Sequence, residues 1–327
     1  MSDLQIMSAT DELKSAAFEL GFELCGVAPA EQPKTFDAFE HWIDAGQHAG
    51  MNHLAEKRFA RKHPGFVLRG VRSVLMLGVS FATVLGSEEH PVRQLKGVAE
   101  YARGIDYHDW IRQRLRKLAV KYHQLFPNGR CRGVVDTAPI LEKQFAADAG
   151  LGQIGYNTLL INPKYGSKIF LAAFLSTEYL QTEKTEKYVN ANITNNITNN
   201  ITNSGSANSG TDFNSAEPVD SKVGTTISCN NCRRCLTTCP TGALVRPFVL
   251  DAHRCLNYWT IEHRGEIPAE IQEKLNRHFF GCDICVNICP YNRNSPAIPE
   301  GTVDPKSLNT ETLRRIITGS PLERMFR

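Results

Sequence analysis

Cys229-Asn-Asn-Cys232-Arg-Arg-Cys235-Leu-Thr-Thr-Cys239-Pro240 and, further along, Cys282-Asp-Ile-Cys285-Val-Asn-Ile-Cys289-Pro290 decide how the C-terminal part of this chain folds. Three thiolates at x2, x2 spacing can wrap one iron-sulfur cube, and the cysteine before proline in such a run turns away to serve the other cluster. On that spacing Cys229, Cys232 and Cys235 are completed by Cys289, while Cys282 and Cys285 are joined by Cys239 and Cys255. A symmetric arrangement would put the eighth cysteine at Phe279; here it is Cys255, so residues 256–281 must loop out and return. The competing reading is a pair of four-thiolate zinc sites, which build from separated Cys-x2-Cys knuckles rather than three ligands in a row before Cys-Pro. Disulfides are not expected, because the N-terminal residues are polar and mixed rather than secretory. The module is therefore expected to be α+β, ferredoxin-like and to carry two [4Fe-4S] clusters that pass electrons. Cys25 and Cys131 lie in or beside apolar, strand-like stretches and read as inert buried thiols rather than ligands.

A ferredoxin needs far fewer than the 327 residues present, and the 42% apolar content supports a second substantial core. No run approaches the roughly 20 apolar residues that span a bilayer, so neither a membrane span nor a membrane partner is expected. A reducing, cytoplasmic compartment suits thiolate-ligated clusters. The net charge of +3 is unevenly spread. Arg112, Arg114, Arg116, Lys117 and Lys121 crowd one expected helix, followed by Arg130 and Arg132, which reads either as a solvated face or as a nucleic-acid contact.

Residues 1–180 alternate helical and strand patterns, the mark of an α/β domain. Helices are expected at 11–20, 36–45, 109–126 and 141–149, and strands at 22–28, 73–81, 133–136 and 168–176. From 181 to 226 the chain repeats Asn-Ile-Thr-Asn and then turns to serine and glycine, a low-complexity, flexible surface insertion. Residues 227–300 form the cluster domain, with helical stretches expected at 241–245, 251–261 and 268–280. A short basic segment, 301–327, closes the chain, with a helix from Thr310.

Three segments of the first domain invite a chemical reading. Gly150-Leu-Gly152-Gln-Ile-Gly155 matches G-x-G-x-x-G, but it follows a helix and runs into a strand, the reverse of a dinucleotide-binding turn. A glycine-rich turn that a cofactor approaches is the better reading. Asp106-Tyr107-His108 begins like the Asp-x-His-x-x-Gly signature of cobalt-ligating histidines, yet Ile111 occupies the glycine position. Tyr107 and His108 are then either helix-start polar residues or substrate contacts. Asp136 ends an apolar strand at the expected mouth of an open sheet, where it either caps a turn or, with its pKa raised by partial burial, gives a proton to a leaving oxygen.

Gly133-Val-Val-Asp-Thr-Ala-Pro-Ile-Leu-Glu142, Ala149-Gly-Leu-Gly-Gln-Ile-Gly155, Tyr165-Gly-Ser167 and the Cys-Pro pairs, in this order, resemble the epoxyqueuosine reductase family from about residue 10 onward. The resemblance implies an oxidoreductase that holds cobalamin in a nitroreductase-like α/β domain, with no histidine below the cobalt. Its two clusters relay electrons to cobalt, and it reduces the epoxide of epoxyqueuosine at the wobble position of tRNA to the alkene of queuosine. By the same similarity Asp136 faces the cofactor and protonates the epoxide oxygen, and Tyr107 and His108 line the substrate side. Arg61, in an Arg-x-x-Pro segment, contacts cobalamin, and Asn162, Gly166 and Ser167 fall in the stretch that embraces the corrin. Tyr156 stands where the family often carries lysine. Many members continue past the position of Arg327 with further basic or helical-repeat sequence that helps hold tRNA, so a shortened C-terminus is expected. A cytoplasmic monomer is expected, reduced by a flavodoxin or ferredoxin type of donor. Two other readings share the cysteines: a cobalamin-dependent reductive dehalogenase, which usually carries a twin-arginine signal not seen here, and a non-catalytic iron-sulfur electron carrier, against which the large first domain argues.

Overall fold

The computed structural model describes residues 2–86, 89–182, 229, 231–275 and 278–326. The insertion expected at 181–226 lies almost wholly outside the described residues. Elements of the first part are α1 (Asp3–Glu19), β1 (Leu24–Pro29), α2 (Phe36–Asp44), α3 (Asn52–Glu56), β2 (Ser73–Ser80), α4 (Phe81–Gly86), α5 (Tyr107–Leu125), β3 (Cys131–Val134), α6 (Glu142–Asp148), β4 (Gln153–Ile154), β5 (Leu160–Ile161) and β6 (Ile169–Ser176).

The main sheet has the order β1-β2-β6-β3. Every neighbouring pair is antiparallel: Val27 faces Leu75, Leu75 faces Phe174, and Phe174 faces Gly133. The alternation of helix and strand patterns marks an α/β domain, as found. Periodicity counts elements but leaves strand direction open, and the long helical excursions between strands here return the chain in the opposite sense. All eight residues of β2 are buried because both faces of the sheet are covered. Leu75, Leu77 and Val79 point to a core completed by Leu13 and Ala17 of α1 and Ile111, Leu115 and Leu118 of α5. Val74 and Met76, one residue out of phase, point to a second core completed by Phe145 and Ala146 of α6.

In the cysteine-bearing part, Leu244–Arg246 (β7) and Val249–Leu250 (β8) pair as an antiparallel hairpin. The helix expected at 241–245 is therefore a strand; Gly242, the β-branched Val245 and the helix-ending Pro247 work against helix there. Short helices span Arg234–Thr238, Leu256–Ile261, Ala269–Lys274 and Ile284–Asn287. The C-terminal helix Thr310–Ile317 buries Leu313, Ile316 and Ile317 against Val92, Leu95 and Phe280, so this basic segment also carries core residues.

Polar contacts lock the two parts together. Trp42 donates to Leu250 O (2.6 Å), Tyr258 OH accepts from Gly50 N (3.0 Å), and Asn157 donates to Cys285 O (3.4 Å). Glu100 and Lys168, 5% and 7% exposed, form a buried ion pair at 2.7 Å. The second carboxylate oxygen of Glu100 accepts from Ile298 N (3.1 Å), and its own backbone N–H donates to Asp283, next to Cys282. A buried pair is costly to break from one side, because the partner charge is stranded. Lys168→Met is expected to lower stability by about 3–5 kcal/mol, read as the shift in anaerobic denaturant unfolding; an unchanged midpoint would sink this account of the pair.

Candidate active site and cluster-binding cysteines

A cavity of 620 Å³ opens between the two parts, within the size range of small-molecule and cofactor sites. Phe39 and Trp42 of α2, Met51 and Leu54 give one wall, and the segment from Asp136 to Gln144 gives another. The third is the β7–β8 hairpin, through Arg246, Phe248, Val249 and Leu250. Phe248 sits in the turn at φ 66°, a left-handed conformation that a bulky residue rarely adopts, fixed by its N–H to Tyr156 O (3.1 Å) and by edge contact with the Tyr156 ring. Tyr156 thus braces the hairpin. No sequence signal pointed to Trp42, Arg246 or Phe248, because they are brought together only by the docking of the two parts.

Arg61 lies at this cavity, 9% exposed, with its guanidinium near the Phe39 ring (5.7 Å) and one N–H to Lys57 O (3.3 Å). Burial lowers its pKa, and the Glu142 carboxylate opposes that shift. Arg246 Nε is buried without a partner. Arg61, Arg246 and Lys143, the last also donating to Thr158 O (2.9 Å), therefore border a largely apolar space, ready for oxygen atoms of a large bound group.

Asp136 stands at the edge of the same cavity, just past the end of β3, at φ 57°. A strained backbone at such a place is held by its surroundings. Its N–H donates to Glu142 Oε1 (3.0 Å), while Oδ2 accepts from Tyr107 OH (3.1 Å) and lies 3.3 Å from His108 Nε2. The side chain is 62% exposed. The His108 hydrogen bond, reinforced by that from Tyr107, outweighs desolvation and holds the carboxyl below its ordinary range. The sequence-based idea that burial raises this pKa is thus corrected. The raised carboxyl is Glu142, pushed up to about 8 by desolvation and by the Asp136 charge.

Tyr107 and His108 open α5, stacked on one another at 4.0 Å, with Tyr107 also stacked on Phe170 at 4.2 Å. Both meet Asp136 Oδ2, and neither is among the residues that line the cavity. Asp106 caps the helix through His108 N (2.9 Å), and the same oxygen meets His108 Nδ1 at 2.7 Å.

Asn162, Gly166 and Ser167 are not among the residues that line the cavity. Asn162 donates to Leu151 O and accepts from Lys164 and Tyr165 N–H groups, shaping its own loop. Asn292, three residues past Cys289, accepts from Ser167 N (2.7 Å) and donates to Ser167 Oγ (2.9 Å). A side chain at Gly166, φ 62°, would collide with Asn292. This loop therefore seats the cysteine-bearing part.

The thiols fall into two sets by their electrostatic influence on one another. Cys229, Cys232, Cys235 and Cys289 act electrostatically on one another, as do Cys239, Cys255, Cys282 and Cys285; Cys235 also acts on Cys285. Burial pushes Cys235 and Cys285 up to about 12 and Cys282 to about 11, and nearby thiols add to each shift. Such a set opposes its own ionisation until a cationic centre neutralises it, which is the donor chemistry of iron. Cys25 and Cys131 stand apart: Cys25 pairs with Leu77 inside the sheet, and burial raises the Cys131 thiol.

The crowded basic helix is partly committed. Arg112 pairs with Asp109 (3.2 Å), Lys121 with Glu12 (3.1 Å), and Arg114 packs over Trp110 while donating to Leu20 O. No described helix is long and apolar enough to cross a membrane.

The family model described as Epoxyqueuosine reductase QueG, DUF1730 matches residues 61–137, and that of the 4Fe-4S double cluster binding domain matches residues 228–292. The chain is similar to an epoxyqueuosine reductase of Pseudomonas aeruginosa, 33% identical over 320 residues, covering 95% of this chain and 76% of the relative. It is 31% identical over 307 residues to that of Escherichia coli, covering 93% and 70%. Among solved structures, epoxyqueuosine reductase with an epoxyqueuosine-modified tRNA stem loop superposes with TM-score 0.71 at 20% identity, covering 95% of this chain and 76% of that one. The Streptococcus thermophilus enzyme superposes with TM-score 0.68 at 22% identity, covering 94% and 75%. These superpositions place the fold alone.

Proposed function

We propose a function from one premise: the chain belongs to the epoxyqueuosine reductase family. It reduces the epoxide of epoxyqueuosine in tRNA to the alkene of queuosine. The observation that carries this reading is the meeting of Asp136 and the β7–β8 hairpin at one cavity, which puts an acid group and the cysteine-bearing part on the same reaction space.

Cys229, Cys232, Cys235 and Cys289 hold one [4Fe-4S] cluster, and Cys239, Cys255, Cys282 and Cys285 hold the other. The residues of the cavity suit cobalamin: Phe39, Trp42, Met51, Leu54 and Phe248 offer apolar and aromatic surface to its flat macrocycle, and Arg61 with the unpartnered Arg246 Nε offers donors to its amide-bearing rim. When bound, cobalamin supplies a strongly reducing metal centre. Asp136, at the cavity edge, donates a proton to the epoxide oxygen, with Tyr107 and His108 on the substrate side orienting its carboxyl. Phe248 and Trp42 help exclude water. Asn162, Gly166 and Ser167 act on the cofactor side by fixing the loop that seats the cluster-bearing part. The tRNA is the macromolecular partner, a flavodoxin or ferredoxin type of protein the electron donor, and the working form a cytoplasmic monomer.

The test is anaerobic turnover of epoxyqueuosine-containing tRNA by cluster-replete protein, with and without added cobalamin. Queuosine is expected to accumulate only with cobalamin. Cobalamin-independent turnover would remove the cofactor from this reading, and no turnover under either condition would remove the reaction.

A further inference from the structure

We propose that Asp106, His108 and Asp136 form a proton relay, in which His108 recharges Asp136 between two proton deliveries and Asp106 is the positioning residue. This rests on the reductase reading. Converting an epoxide to an alkene breaks two C–O bonds, forms the second bond of C=C, and releases the oxygen as water. The balance is two electrons and two protons consumed per epoxide. The electrons come from the donor and clusters already invoked; the protons must come from groups at the site or from solvent. Asp136 carries at most one, and its hydrogen bonds leave it ionised at rest, so it must be loaded and then loaded again.

The geometry points to the loading group. Asp106 Oδ1 accepts from His108 N at 2.9 Å and lies 2.7 Å from His108 Nδ1. An ionised carboxylate only accepts, so Nδ1 carries hydrogen. His108 Nε2 then faces Asp136 Oδ2 at 3.3 Å with one role left to settle. With the proton on Nε2 the ring is an imidazolium between two carboxylates; with the proton on Oδ2 the ring is neutral and accepts. The two states differ by movement of one proton along one hydrogen bond, and the 5% exposed, stacked ring has little freedom to leave that line.

The neighbouring titratable groups do not substitute for it. The Tyr107 hydroxyl also reaches Oδ2, but burial and the Asp136 charge push its pKa far above neutrality, so it orients without giving up its proton. Tyr101, within electrostatic reach of Tyr107, is raised in the same way. Glu142 bonds to the backbone N–H of Asp136, not to its carboxylate, and Lys143 acts on Asp136 and Glu142 through its charge.

Asp106→Asn keeps the helix cap and an acceptor for Nδ1 while removing the charge that favours the imidazolium. With cobalamin absorption and iron content at parent levels, turnover of epoxyqueuosine-tRNA is expected to fall by about 100-fold. The high-pH limb of its rate profile is expected to move down by about one pH unit. His108→Ala is expected to be slow and to regain rate in added imidazole, which decides the matter alone if the Asp106 variant does not fold. A parent-like rate and pH profile in Asp106→Asn, or a slow His108→Ala that imidazole leaves unchanged, would overturn the relay. Absence of turnover in the parent protein would instead remove the reductase reading on which the relay stands.

Discussion

Cys255→Ala is expected to cut anaerobically reconstituted iron from about eight to about four atoms per chain. Of the eight cysteines in and between the two Cys-Pro runs, this one lies outside both, so its loss tests the partition most directly. The structure brings it to its group by local means. Cys255 occupies the N-cap position of the helix Leu256–Ile261, its N–H bonds to Ala252 O at 3.0 Å, and the backbone amides of Asn257 and Tyr258 favour its ionised form. Helix-start amides stabilise a thiolate there, while burial and the neighbouring Cys239 oppose it, so the site is completed by binding positive iron. Without that ligand the cluster of Cys239, Cys282 and Cys285 is expected to be lost or degraded, with the Cys229, Cys232, Cys235 and Cys289 cluster retained. Iron analysis with low-temperature electron paramagnetic resonance checks both halves of the statement. Cys131→Ala is the control, expected to leave iron at parent level. Equal iron in the Cys255 variant and parent would show the partition to be wrong.

The parts of the fold legible in sequence are those fixed by local chemistry. The apolar run Ser73–Ser80 reads directly as a strand, and α5 is framed by Asp106 at its start and Pro127 after its end. The direction of pairing is not local, and the antiparallel β1-β2-β6-β3 order came only with the structure. Nor is the hairpin at Leu244–Leu250 local: its turn holds Phe248 at a positive φ, which its own side chain disfavours and docking against Tyr156 supports. At the site, Asp136, Tyr107 and His108 could be picked out from sequence, but the sign of the Asp136 shift could not. That sign depends on an imidazole 28 residues away in the chain meeting the carboxylate at 3.3 Å. Asn162, Gly166 and Ser167 illustrate the same limit from the other side. Their sequence marks a tight turn, while the partner of that turn, Asn292, lies past the last cysteine.

Asp136→Asn is expected to lower turnover of epoxyqueuosine-tRNA by about 10²–10⁴-fold, the usual range for removing a positioned acid. Asparagine is the informative replacement because it tolerates the left-handed backbone at φ 57° at least as well as aspartate. It also keeps an acceptor for the Tyr107 hydroxyl and the N–H that donates to Glu142. What it loses is the exchangeable carboxyl proton. Since the cavity walls at Arg61, Trp42 and Phe248 are untouched, cobalamin uptake and iron content are expected to match the parent. The loss should therefore fall on the protonation-dependent step, visible in single-turnover experiments with pre-reduced protein. If the Asn variant turns over at the parent rate, Asp136 is not the proton donor, and the half-buried Glu142, whose pKa is pushed up to about 8, becomes the better-placed acid of the cleft. If the variant instead fails to retain cobalamin, Asp136 belongs to cofactor binding, and the acid must be sought in His108 or Glu142.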